Sequence, residues 1–127
     1  MTIFLRTSPY YCNRTCPYFF GGVRMAVELN ATGEVLTAYL KGEIDHHTAR
    51  DIRTALDSAI DLNMPTLLIM DFSDVGFMDS SGIGLVMGRY RNLSKSGAAL
   101  HITGAAPQIY KMMKLAGIEK LAKLEGR

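Results

Sequence analysis

Three rhythms of apolar and polar residues divide the chain. Residues 25–29 and 35–40 read as two strands around Asn30-Ala31-Thr32-Gly33, a β-hairpin with glycine in its turn. In the second strand Val35, Thr37 and Tyr39 alternate with Leu36, Ala38 and Leu40, so side chains on both faces can be covered. Ala49, Ile52, Leu56, Ala59 and Ile60 then recur at helical spacing, with Arg50, Arg53 and Asp57 outside and Asp45 or Thr48 placed to start the helix. Asn63-Met64-Pro65 ends it. Residues 66–70 (TLLIM) form a short apolar run closed by Asp71-Phe72-Ser73-Asp74, as expected of a strand buried on both faces. Ile83, Val86, Met87, Tyr90 and Leu93 restore the helical period over residues 81–94, and Lys95-Ser96-Gly97 stops it. A strand over 98–102 follows, then a helix opened by Pro107, with Ile109, Met112, Met113 and Ala116 inward and Gly117 as its cap.

Strands alternating with helices after an initial hairpin predict an α/β fold, in which a mixed sheet with parallel crossovers is packed with helices. Residues 118–127 are too few to close it with another long helix.

Composition adds a boundary. The chain has 127 residues, 48% hydrophobic and 20% charged, which suits one domain with a sizeable core, and no stretch has the length of a membrane span. We therefore expect a cytoplasmic protein with no membrane attachment. The formal charge of +2 hides an asymmetry, because residues 1–24 carry Arg6, Arg14 and Arg24 and no acid, leaving 11 basic and 12 acidic groups after them. That balance gives no basic patch for nucleic acid. Both cysteines and six of the eleven aromatic residues also lie before Met25, so residues 1–24 read as a leader outside the domain and 25–127 as the domain itself. Arg6, Pro9, Asn13 and Arg14 interrupt any secretory apolar centre, and Cys12 with Cys16 lacks the further ligands of a zinc site. The expectation is that translation starts at Met25.

The chemistry concentrates in two stretches. Asp45-His46-His47-Thr48 is read as a polar loop that caps a helix, since adjacent histidines do not converge on one metal ion and His101 belongs to a strand. Asp45 remains a loop carboxylate available for function. In the second stretch, Ser80 and Ser81 stand at a helix N-terminus, where free N–H groups and the dipole favour an anion. Their plain role is as N-caps; the sharper reading is that one caps and the other is presented for modification, beside Asp79.

Gly82-Ile83-Gly84 superficially resembles a dinucleotide-binding turn, but the next glycine is Gly88, no acid follows at the required distance, and no second mononucleotide half exists. A nucleotide- or phosphate-binding enzyme using this turn is thus the rival from another class. A serine hydrolase finds no G-x-S-x-G elbow. Three glycines in one helix still cost about 1 kcal/mol each relative to alanine. Gly84 and Gly88 share a side and permit close approach of another element or chain, while Gly82, Leu85 and Arg89 form a neighbouring stripe expected to be an exposed docking surface.

Together, Glu43-Ile44-Asp45-His46-His47-Thr48-Ala49 and Phe77-Met78-Asp79-Ser80-Ser81-Gly82-Ile83-Gly84, followed by Gly88-Arg89-Tyr90, resemble the anti-sigma factor antagonists. These carry the domain shared by sulphate transporters and anti-sigma antagonists (STAS), and the resemblance is greatest to the sporulation sigma-F branch. It spans about residues 25–125, with both motifs in the family's order and spacing. It implies a mixed sheet packed with helices and a protein without catalytic activity or cofactor. Its partner would be an anti-sigma factor that is itself a serine kinase and carries the ATP. The family's phosphorylated serine matches Ser80 and its kinase-docking aspartate matches Asp45; Asp79, Ser81, Gly82, Leu85 and Arg89 are further candidate contacts. The resemblance implies partner switching: the unphosphorylated form binds the anti-sigma factor and frees sigma, the phosphorylated form lets go, and a serine phosphatase resets it. A STAS module that docks a partner constitutively, with Ser80 only a cap, is the alternative within the fold.

Overall fold

The computed structural model describes residues 16–20 and 25–127, with side chains from Val27 onward. Six strands lie side by side in chain order: β1 (Cys16–Phe20), β2 (Met25–Thr32), β3 (Val35–Ile44), β4 (Leu67–Met78), β5 (Ala99–Ala105) and β6 (Lys123–Gly126). β1, β2 and β3 pair antiparallel; β3 to β6 pair parallel. The crossovers between the parallel strands are α1 (His46–Asn63), α2 (Ser80–Ser94) and α3 (Pro107–Leu115), the last followed by a single 3-10 turn at Ile118–Lys120. The mixed α/β sheet expected from the sequence is therefore present. Of the segment before Met25, Cys16–Phe20 lies antiparallel to β2, from Cys16 opposite Leu29 to Phe20 opposite Met25. Cys12 lies outside the described residues.

Consecutive parallel strands joined by right-handed crossovers place their helices on one face of a sheet. The burial pattern agrees. Leu36, Ala38 and Leu40 of β3, Leu68, Met70 and Phe72 of β4, and Leu100 and Ile102 of β5 are buried in one core with Ile52, Leu56, Val86, Leu93, Ile109 and Met113 of the helices. Val35, Thr37, Tyr39, Leu67, Ile69 and His101, on the other face, are half-buried. The expectation that β3 and β4 are covered on both faces is corrected: the helices cover one.

Several boundaries move for identifiable reasons. The hairpin turn is Gly33-Glu34, with Gly33 at φ 60°, because Thr32 still pairs with Val35. β4 does not stop at Asp71 but runs to Met78. Its register against β3 slips between Tyr39 and Lys41 and again between Gly42 and Glu43, each time with an extra residue on β4. Such bulges re-aim the following side chains, so Phe72, Val75 and Met78 all reach the core at a spacing of three. The last ten residues close the sheet with β6 beside β5, a strand that the sequence reading did not foresee.

Candidate functional site

Ile44 and Met78 are register partners at the ends of β3 and β4, so the residues that follow them, Asp45 and Asp79, begin two helices side by side. The Asp79 amide donates to the Ile44 carbonyl at 3.1 Å, which ties the two turns together. The two sequence motifs thus meet at the carboxyl ends of the parallel strands, where connecting loops gather in α/β folds.

Asp45 is the N-cap of α1. Its Oδ1 accepts the amides of His47 at 2.9 Å and Thr48 at 3.0 Å, while the Thr48 hydroxyl accepts the Asp45 amide at 2.9 Å, a complete capping box. The Thr48 hydroxyl also reaches the Glu43 carbonyl, at 3.1 Å, and Thr48 is buried. The Asp45 side chain is 14% exposed, so the carboxylate expected to be available in a loop is engaged by the helix it starts. The rings of His46 and His47 lie tilted by 38° with centroids 3.9 Å apart.

The start of α2 corrects the expectation that a serine caps it. Asp79 is the N-cap, with its Oδ1 accepting the Ser81 amide at 2.8 Å. Ser80 and Ser81 therefore occupy the first two helical positions, and Ser80 is exposed. The third position is Gly82, where a Cβ would stand 2.2 Å from Met78 Cγ and 2.3 Å from its Sδ. The side chain of the last β4 residue fills the space, and only glycine leaves room for it. Phe77, close to Ser80 in sequence, is 52% exposed.

The stripe of Gly82, Leu85 and Arg89 is not the exposed surface that its position on the helix suggested. All three are buried, Leu85 at 4% and Arg89 at 5% exposure. α1 packs beside α2 and takes this stripe as its contact face, which a single helix's periodicity does not reveal. Arg89 Nε lies 2.9 Å from Asp57 Oδ1, and the same oxygen accepts Asn92 Nδ2 at 3.0 Å. Burial lowers the Arg89 pKa; Asp57 acts the other way, and Arg53 adds to the lowering.

The solvent-facing side of α2 is instead the stripe of Gly84 and Gly88, where a Cβ would meet nothing within 4 Å. It floors a groove between α1 and α2. One stretch of about 460 Å3 is lined by His46, Arg50, Arg53, Ser81 and Gly84; a second of about 500 Å3 continues past Gly88 to Arg89, Arg91 and Lys95. The sequence held a signal for this groove in Arg50 and Arg53, three apart on the outer face of α1, but their facing the glycines depends on helix packing.

The pattern of the STAS domain matches residues 26–126. The chain belongs to the STAS domain family. It is 34% identical over 87 residues to the anti-sigma F factor antagonist of Lysinibacillus sphaericus, covering 68% of this chain and 74% of that protein. Among solved structures it is similar to the anti-sigma factor antagonist SpoIIAA in its unphosphorylated form, with a TM-score of 0.69 and 32% identity over 77% of this chain and 86% of that one. It is similar also to the Bacillus cell fate determinant SpoIIAA in the phosphorylated form, with a TM-score of 0.64 and 32% identity over 77% and 89%. No helix among the described residues is long and apolar enough to cross a membrane.

Proposed function

We propose that this chain is an anti-sigma factor antagonist of the cytoplasm. Its unphosphorylated form binds an anti-sigma factor that is a serine kinase, so sigma is freed, and phosphorylation of Ser80 ends the binding. The observation that carries this reading is the cap of α2: because Asp79 takes that role, Ser80 is exposed at the first helical position with no capping duty. The existence of SpoIIAA in both phosphorylated and unphosphorylated forms supports a phosphorylated state here.

The electrostatics suit a switch. A phosphate at the start of a helix meets the positive end of its dipole, so the fold tolerates it. A partner surface closing over the same spot must desolvate a dianion that already neighbours Asp79. A difference of about 3 to 4 kcal/mol changes affinity several hundredfold, enough to release a partner without rearranging the fold. ATP belongs to the kinase, a separate serine phosphatase resets Ser80, and this chain performs no catalysis of its own.

Calorimetric titration of the anti-sigma kinase with the two forms tests the reading. The unphosphorylated chain is expected to bind several hundredfold more tightly than the Ser80-phosphorylated chain, with thermal midpoints almost equal. Equal affinities would contradict the switch and leave a constitutive docking module.

A further inference from the structure

We infer that the groove between α1 and α2 receives an acidic segment of the anti-sigma factor, one carboxylate of which pairs with Arg89; the inference rests on the function proposed above. The first observation is charge. After Met25 the chain is slightly acidic, with 11 basic and 12 acidic residues, yet Arg50, Arg53, Arg89, Arg91 and Lys95 gather along this one groove against Asp57 and Asp61. Nearly half of the domain's cations thus line a single trough, which favours an anionic occupant.

The second observation is independent of the first. Arg89 is 5% exposed, and its Nε and Nη1 are both buried without a hydrogen-bond acceptor among the described residues. Asp57 Oδ1 lies 2.9 Å from Nε as an ion pair, without supplying a hydrogen bond to either nitrogen. A buried guanidinium with an unanswered donor is costly in isolation and is relieved when an acceptor arrives. A carboxylate suits it, since guanidinium and carboxylate match in geometry.

Shape decides between a compact anion and a chain. The two stretches of the groove join at Arg53 and Gly84, and Gly84 and Gly88 both face open space. Nothing inside the domain requires glycine at either position, although glycine weakens a helix interior relative to alanine. An extended segment lying close against the helix makes use of both, whereas a small ion needs neither. Ser81, adjacent to Ser80, lines the near end. A phosphate on Ser80 therefore places a second anion at the end of a groove that an acidic segment must occupy, which links this surface to the switch.

The test titrates the purified anti-sigma kinase into the wild-type chain, the Gly84→Gln/Gly88→Gln variant and Arg53→Glu, at low and high salt, with thermal melts of each. Glutamine is a better helix former than glycine and its Cβ meets no neighbour at either site, so the double variant is expected to melt no lower than wild type. Its affinity is expected to fall by about tenfold or more, with a comparable loss for Arg53→Glu that shrinks as salt is raised. Unchanged affinity in the double variant would overturn the groove while leaving the proposed function standing. Weaker binding in the double variant with no effect of Arg53→Glu or salt would show an occupant that is not acidic, and would also overturn it. Failure of the wild-type chain itself to bind would overturn the proposed function, and the groove's occupant with it.

Discussion

Asp45 and Asp79 follow register partners in neighbouring parallel strands and cap the helices that come next, yet the two turns are built for different ends. At α1 the third helical residue is Thr48, whose buried hydroxyl answers the Asp45 amide and completes a reciprocal box. At α2 the third residue is Gly82, which has no side chain to return, and its place is filled by Met78 from the preceding strand. The first turn is closed upon itself. The second has one side-chain cap bond, from the Ser81 amide to Asp79, and leaves Ser80 exposed. A fold can thus close one helix start through its own side-chain hydrogen bonds and leave an exposed serine at the adjacent one, with the difference written in Asp-His-His-Thr against Asp-Ser-Ser-Gly.

The comparison can be broken in several places. The largest effect is expected on binding: Ser80→Asp puts a permanent anion at the open turn and should weaken association with the anti-sigma kinase by about tenfold or more, measured by calorimetry. Unaltered affinity would mean that the partner does not cover this turn. Gly82→Ala should lower stability by about 1–3 kcal/mol, read from urea denaturation, because the new methyl overlaps Met78; a neutral result would show that Met78 moves aside freely. Thr48→Val keeps the shape of the closed turn but removes its hydroxyl, and should cost about 1–2 kcal/mol in the same assay. Asp79→Ala removes the cap of the open turn and should cost about 1 kcal/mol. If Asp79→Ala proved more damaging than Thr48→Val, the contrast between the turns would be wrong. The smallest effect is expected from starting the chain at Met25, which removes β1: that strand pairs with β2 and contributes no residue to either turn, so kinase affinity should match that of the full chain.

Much of this was legible in the sequence because local rules govern it. The hairpin, the helices and the parallel crossovers follow from period and turn chemistry, and the two motifs marked both helix starts. Other features depend on what packs where. The bulges that carry β4 past Asp71 hide its core residues Val75 and Met78 from any strict alternation. Leu85 and Arg89 sit on the outer side of α2 when only the sheet is imagined as its partner, and α1 buries them. The choice of Asp79 over a serine as cap was open too, since aspartate and serine are equally good at that position, and it decides whether Ser80 is structural or available.

The most direct measurement is to incubate the chain with the anti-sigma kinase and ATP and map phosphate by mass spectrometry, alongside Ser80→Ala. The account predicts a single phosphate on Ser80, absent from a variant that still binds the kinase. Tight binding with no phosphate on Ser80 would contradict it, and would make the exposed serine at the head of α2 no more than the first residue of a helix.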